Sequence, residues 1–146
     1  MRFAPLALLL LSACGEAPLP PDILASKQAI WEVVKAYHAA GDKGDVDTMA
    51  AYLAPEAAIF RGQEDFARPK EEAVKELTDR VKQYEGQKRN ALLGSEMINI
   101  TGEVGVVTYV ASVGTQRTGI TAVLRRAQGK WLISHLHESW PAATKK

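Results

Sequence analysis

The stretch that decides the fold is residues 103–139, EVGVVTYVASVGTQRTGITAVLRRAQGKWLISHLHES. Apolar residues recur along it with a period of two, which is typical of β-strands. Turn signals interrupt it at residues 114–116 and at Gln128-Gly129. A similar segment ends at a further turn, Gly102. The sequence therefore predicts an antiparallel meander of four strands, at residues 89–101, 103–112, 117–126 and 130–139.

Helical spacing precedes these strands. Apolar residues at i, i+3, i+4 and i+7 predict a first helix that ends at Gly41; they are Ile30, Val33, Val34 and Tyr37. Asp45 is a good N-cap for a short second helix, which we expect Ala54-Pro55 to end.

A short strand at residues 57–60 and a polar loop at residues 61–68 come next. Pro69 suits the first position of a third helix, whose apolar side carries Val74, Leu77, Val81 and Tyr84. We interpret its Glu76–Arg80 pair as part of a solvated face. Helices grouped before strands indicate an α+β fold with helices on one face of a sheet.

Both faces of the late strands carry apolar side chains. Regular alternation places Val104 and Val106 on one face and Val107 and Tyr109 on the other. A sheet covered on one side only is expected to be polar on its open face, so we expect a second subunit there and predict a homodimer. The alternative is a solvated face with scattered apolar residues.

The N-terminal segment predicts export. A positive start, a short apolar run and Leu11-Ser12-Ala13-Cys14 follow the order of a secretory signal, and the last four resemble a bacterial lipobox. We expect a signal peptide at residues 1–13, an acylated Cys14 with a proline-rich tether at residues 14–25, a domain at residues 26–141 and a tail at residues 142–146. The alternative is an ordinary cleaved signal with an incidental cysteine.

Gly15 follows the cysteine where some lipoproteins carry Asp, and by resemblance to enteric lipoproteins this favours the outer membrane. The predicted location is the cell envelope, lipid-anchored through Cys14, on the periplasmic face of that membrane.

Composition excludes several classes of protein. Of 146 residues, 47% are hydrophobic and 24% charged, with 18 Lys+Arg against 17 Asp+Glu. This balance argues against a nucleic-acid partner, and the apolar share argues against disorder. One cysteine allows no intramolecular disulfide and no cysteine-based redox or four-cysteine zinc site. We expect no cofactor.

Two segments carry a family likeness. Residues 37–60, YHAAGDKGDVDTMAAYLAPEAAIF, resemble the start of the nuclear-transport-factor-2-like (SnoaL-like) superfamily, and residues 129–139, GKWLISHLHES, resemble its closing strand. That strand is also similar to the association domain of calcium/calmodulin-dependent protein kinase II. The resemblance implies a cone-shaped, cystatin-like roll in which a curved antiparallel sheet wraps the first helix, with a pocket between them and dimers through the sheet.

The same resemblance supplies catalytic candidates. Steroid-isomerase-like members use a tyrosine of the first helix as an oxyanion donor, and Tyr37 matches it. Their carboxylate position falls on Arg61 here, while Glu64 and Asp65 are displaced into the following loop. A proton transfer needs a base within hydrogen-bond reach, so the candidates are Asp65 and Glu138, with Tyr37 as donor. Tyr37 can equally be a core tyrosine.

The histidines and Glu138 are expected on opposite faces of the last strand. Alternation groups His135 and His137 with Trp131 and Ile133, so with His38 they are weak candidates for a metal site. Structural hydrogen bonding is the favoured interpretation. Glu138 either lines the pocket or lies at its rim.

The predicted pocket residues are Trp31, Tyr37, Phe60, Arg61, Leu124 and Glu138. The leading hypothesis is an envelope domain that binds a small, partly apolar molecule or acts as a dimerising interaction module. The alternatives are an isomerase or hydrolase, and a structural dimer whose pocket is filled by its own side chains.

Overall fold

Six strands form one curved, unclosed sheet in the order β2-β1-β6-β5-β4-β3. The computed structural model describes residues 21–62, 67–83 and 90–139. The helices are α1 (Pro21–Lys43), α2 (Val46–Ala51) and α3 (Lys70–Gln83), and the strands are β1 (Leu53–Arg61), β2 (Arg68–Pro69), β3 (Leu92–Thr101), β4 (Val104–Val113), β5 (Gln116–Ala127) and β6 (Lys130–Ser139). The α+β class and the four-strand meander are confirmed.

The sheet is mixed rather than purely antiparallel. Strands β3 to β6 pair antiparallel, but β1 pairs parallel to β6, with Arg61 opposite Glu138. Parallel neighbours need a long crossover, and α3 with the meander supplies it here. This pairing is what brings the end of β1 beside the end of β6.

Helix α1 lies in the concave face of the sheet and contacts β3, β4 and β6. The predicted apolar stripe is confirmed, because Ile30, Val34 and Tyr37 are each no more than 1% exposed. They pack against inward-facing residues of every long strand, which include Leu53, Ile59, Val107, Leu124, Ile133 and Leu136.

The ends of α1 differ from the prediction. The helix begins at Pro21, a residue type suited to a first helical turn, so residues 21–25 are helical although we expected them to belong to the tether. Gly41 is helical, and a Cβ at this position would lie 3.3 Å from the end of the Met49 side chain. The helix ends at Lys43 and is followed by Gly44, whose φ of +71° is the left-handed conformation that favours glycine.

The two prolines near β1 lie in strands, which differs from the prediction. The strand runs from Leu53 and includes Pro55, which is exposed at a register shift between Leu53 and Ala58. A proline is tolerated at such a bulge because no ladder hydrogen bond is lost. Pro69 belongs to β2, and α3 begins one residue later at Lys70.

A bulge in β6 changes which side chains face the helix. Leu124 pairs with Ile133 and Val123 with His135, so Ser134 is an extra residue, and its hydroxyl donates to the Val123 carbonyl at 3.2 Å. Trp131, Ile133 and Leu136 are therefore all buried. The prediction that His135 and His137 share a face with Trp131 and Ile133 is wrong, because it assumed unbroken alternation.

Among the described residues, no helix has both the length and the apolar character that a membrane crossing requires.

Candidate functional site

Arg61, the last residue of β1, is the one buried charged side chain in the part of the chain that the structure describes. Its Nε lies 3.2 Å from Glu138 Oε2, and its terminal nitrogen donates to Glu76 Oε2 at 3.1 Å. A guanidinium in the interior is stable only when it is paired. The parallel pairing of β1 with β6 supplies one partner and α3 the other, so Arg61 joins three elements.

Glu76 pairs with three arginines, an arrangement that the sequence did not predict. Its carboxylate also pairs with Arg68 of β2 at 3.2 Å and with Arg80 one helical turn away. The predicted Glu76–Arg80 pair therefore exists, but its interpretation as a solvated face is wrong, because the Glu76 side chain is only 19% exposed. Ala73, three positions earlier, is fully buried, so Glu76 lies on the packed side of α3, which the sequence alone did not indicate.

Tyr37 projects from α1 toward the same arginine. Its hydroxyl is buried beside the Arg61 guanidinium, but it makes no hydrogen bond of good geometry with any described residue. Arginine can only donate, so a contact with Arg61 uses the phenol oxygen as acceptor and leaves the hydroxyl proton unused. The structure thus places a buried donor without an acceptor among the described residues.

The phenol of Tyr37 stays protonated in this setting. Burial raises its pKa well above the usual value, the Glu138 carboxylate raises it further, and Arg61 opposes both effects. For Arg61, burial lowers the pKa, but Glu138, Tyr37 and Glu76 outweigh burial and raise it above its ordinary value. The site therefore holds a neutral donor next to a permanently positive group.

Tyr109 of β4 adds a second phenol, which was not among the predicted site residues. Its hydroxyl lies 2.8 Å from His38 Nε2, and its ring meets Trp31 edge-to-face with centroids 5.7 Å apart. Burial raises the pKa of Tyr109, and electrostatic interaction with Glu138 and then with Tyr37 raises it further. The predicted alternation in β4 placed Tyr109 inward with Val107, but nothing in the sequence distinguished it from a core tyrosine.

The structure brings together four of the six predicted pocket residues. Tyr37, Arg61 and Glu138 are in mutual contact or within electrostatic range, and Trp31 joins them through Tyr109. Leu124 is fully buried in the core. Asp65 lies outside the described residues.

Phe60 does not belong to the site. Strand alternation turns Arg61 inward and therefore Phe60 outward, where its ring contacts His135 and His137 at centroid distances of 5.4 and 6.1 Å. Its prediction as a pocket residue is wrong, because two consecutive strand residues cannot line one face.

The three histidines do not converge. His38 lies on the concave side with Tyr109, whereas His135 and His137 lie with Phe60 on the outer face. Among residues 21–62, 67–83 and 90–139, no group of three or more potential ligands could hold a metal ion. The suggestion that His38 could complete a metal site with the strand pair is therefore wrong.

The family follows from the comparisons. The model of the SnoaL-like domain matches residues 30–143, and the chain belongs to this family. No curated protein matches the chain.

Solved structures share the fold at low sequence identity. A protein of unknown function with a cystatin-like fold from Nostoc punctiforme is 16% identical, with a TM-score of 0.72 over 82% of this chain and 93% of that one. A proposed dehydratase of the NTF2-like family from Streptomyces avermitilis is 16% identical, with a TM-score of 0.71 over 85% and 100%. An NTF2-like protein of unknown function from Pseudomonas putida is 15% identical, with a TM-score of 0.73 over 84% and 91%.

Proposed function

We propose that this SnoaL-like domain binds a small, partly apolar molecule between α1 and the concave face of the sheet. The observation that carries the proposal is the buried Tyr37 hydroxyl, whose proton finds no acceptor among the described residues. A buried donor left unsatisfied costs about 1–3 kcal/mol, which a ligand oxygen would recover. Apolar walls with a few convergent polar groups are the usual make-up of a small-molecule site.

Thermal unfolding of the full chain tests this proposal. Aromatic and alicyclic ketones, each with a hydrocarbon of the same size, are added to wild-type protein and to Tyr37→Phe. Because ligands stabilise the state that binds them, at least one ketone should raise the Tm of wild type more than that of the variant, and its hydrocarbon should not discriminate. Equal shifts for both proteins with every ketone would contradict a role for the Tyr37 hydroxyl.

A second candidate function is proton transfer, with Glu138 as base and Tyr37 as hydrogen-bond donor. It is favoured by the placement of Glu138 within electrostatic range of both buried phenols. The proposed dehydratase among the structural neighbours shares the fold and makes such chemistry worth testing. Once a ligand is found, Glu138→Gln should abolish its turnover and keep its binding; turnover by Glu138→Gln would exclude this role.

We also propose that the domain is anchored to the envelope through an acylated Cys14, which lies outside the described residues. The support is the lipobox-like Leu11-Ser12-Ala13-Cys14. Cells fed an alkyne-tagged fatty acid should label the wild-type chain and leave Cys14→Ser unlabelled. Equal labelling of the two proteins would contradict the anchor.

A further inference from the structure

We propose that His38 determines whether Tyr109 donates or accepts a hydrogen bond in the ligand site, so that protonated His38 turns the Tyr109 hydroxyl toward an acceptor oxygen of the ligand. This inference rests on the proposed function, because it assigns to the same site a second hydroxyl and the residue that orients it. The ligand class it predicts is a molecule with a carbonyl oxygen near its apolar part.

His38 and Tyr109 are joined by a hydrogen bond between their side chains. His38 Nε2 and the Tyr109 oxygen are 2.8 Å apart, so one of them donates to the other. A phenol has a single proton. If that proton is given to His38, Tyr109 can only accept from a ligand; if Nε2 carries a proton, Tyr109 accepts it and its own hydroxyl is available to donate elsewhere.

Protonation removes this ambiguity. Both ring nitrogens of a charged imidazole are donors, so charged His38 must donate to Tyr109. The His38 ring is held edge-on between two aromatic rings, with centroids 5.5 Å from both Tyr37 and Tyr109 and interplanar angles of 88° and 85°. It is half-buried, whereas Tyr109 is 3% exposed, so the imidazole is the member of the pair that is open to solvent.

Within residues 21–62, 67–83 and 90–139, charged and titratable groups from three elements act on the pair. Tyr37 lies beside His38 on α1, Glu138 of β6 acts on both phenols, and Arg61 of β1 acts on Tyr37. Asp42 follows His38 by one turn of α1, and its carboxylate accepts from the Ala91 amide of the chain before β3. The inward-facing residues of β3 that pack on this core are apolar, namely Leu93, Ile98 and Ile100. Of these side-chain types, only an imidazole ordinarily changes its charge in the neutral range.

Three probes of equal size test the ligand side of the inference. Acetophenone has an acceptor oxygen only, 1-phenylethanol can donate as well, and cumene has no polar atom. For the full chain, acetophenone should bind about three- to tenfold more tightly at about pH 5.5 than at about pH 8, the range of a neutral hydrogen bond. The alcohol should change less, because it can donate to Tyr109 at high pH, and cumene should not change.

Two variants separate orientation from packing. His38→Gln keeps an amide that donates or accepts without titrating, so it should bind acetophenone with no pH dependence. Tyr109→Phe should remove the pH dependence and weaken the preference for acetophenone over cumene, leaving the part of that preference that the Tyr37 hydroxyl supplies. His135 and His137 remain in both variants, so a pH effect that survives in them would come from the outer face and would overturn the inference.

A ligand-free measurement keeps the inference separate from the proposed function. In wild-type protein the ¹³Cζ resonance of Tyr109 should move as His38 titrates, because the phenol changes from donor to acceptor, and in His38→Gln it should not. If no probe binds but the resonance moves, the binding proposal fails and the orientation of Tyr109 by His38 stands. A Tyr109 resonance that ignores the titration of His38 overturns the inference.

Discussion

The Arg61 guanidinium lies in the interior, with 3% of the side chain exposed. It is placed between the carboxylates of Glu76 on α3 and Glu138 on β6. Replacing it by methionine keeps the apolar volume and leaves Glu138 without its partner. We expect Arg61→Met to lower the free energy of unfolding by about 3 kcal/mol, since an unpaired buried charge is costly. Urea denaturation of the full chain measures this.

The control for that prediction is Arg125→Met. Arg125 pairs with Glu56 at 3.5 Å, but the two side chains are 61% and 57% exposed. Exposed pairs contribute about 0–1 kcal/mol, so the loss should stay within that range. A second methionine at Glu138 should recover part of the loss in Arg61→Met, because it removes the stranded charge. Equal losses for Arg61→Met and Arg125→Met would contradict the account of the buried pair.

The two phenols should respond in opposite ways to loss of their hydroxyl. Tyr37→Phe removes a buried donor without an acceptor among the described residues, so the free energy of unfolding should stay equal or rise. Tyr109→Phe removes the 2.8 Å hydrogen bond to His38 and should cost about 1 kcal/mol. Chemical denaturation without ligand distinguishes them, and a larger loss for Tyr37→Phe would mean that its hydroxyl is satisfied.

At the scale of residues, the sequence could predict those site residues whose placement depends only on their position in a single helix or strand. Tyr37 stands on the apolar stripe of the first helix, and Arg61 and Glu138 lie at or next to the ends of β1 and β6, the strands that the resemblance placed at the pocket. Tyr109 and Glu76 could not be identified, because their roles depend on which side chains meet across the fold. In the sequence, Tyr109 cannot be distinguished from a core tyrosine of an apolar strand, and the Glu76–Arg80 pair cannot be distinguished from an ordinary exposed i,i+4 pair.

At the scale of elements, α1 packs tightly on β4 at Gly105, where an added Cβ would collide with the end of the Ile30 side chain. Ile30 is fully buried and cannot move aside without disturbing the core. Gly105→Ala should therefore cost about 1–3 kcal/mol. Adding Ile30→Val removes the colliding methyl group and should restore part of this loss.

Gly94→Ala is the matched control, since a Cβ there meets nothing within 4 Å. Its effect on the free energy of unfolding should lie within about 0.5 kcal/mol. A double-mutant cycle between positions 30 and 105 measures their coupling. Additive losses would show that α1 does not press on β4 at this point.

The cap of α2 gives a pH dependence with a defined sign. Hydrogen bonds from the Thr48 hydroxyl and then its amide hold the pKa of Asp45 below its usual range. A depressed pKa in the folded state gives stability that is present above the unfolded pKa, about 3.9, and is lost as the pH falls through the folded value. Asp45→Asn keeps the cap without titrating, so the advantage of wild type over this variant should shrink below about pH 4. An advantage that is constant with pH would contradict this.

The bulge at Ser134 shows why element-level prediction was incomplete. Strand positions, the N-cap at Asp45 and the turns at Gly102 and Gly129 follow from local chemistry, and all are present in the structure. The extra residue in β6 cannot be recognised in the sequence, yet it reverses which face of the sheet each later side chain of the strand points to. The parallel pairing of β1 with β6 is similarly set by long-range packing.

For the molecule as a whole, we propose a homodimer through the outer face of the sheet. Val104 and Val106 on β4 and Met97 on β3 are exposed there, at 39%, 37% and 62%. Val106→Asp should shift the full chain from dimer to monomer in sedimentation at micromolar concentration, because a charge disfavours burial of that face. Thr115→Asp, in the exposed turn between β4 and β5, should leave the mass unchanged. A wild-type monomer would contradict the dimer.

The most direct test of the central claim is native mass spectrometry of the protein isolated from its own cells, compared with the same sample after denaturation. A covalent acyl group survives denaturation, whereas a bound guest is released, so the two are separable. We expect wild-type protein to carry a discrete organic mass that denaturation removes, and Tyr37→Phe, which folds equally well, to carry less of it. Wild type and variant that both appear at the polypeptide mass, with or without acyl groups, would contradict a ligand site beside Tyr37, Arg61 and Glu138.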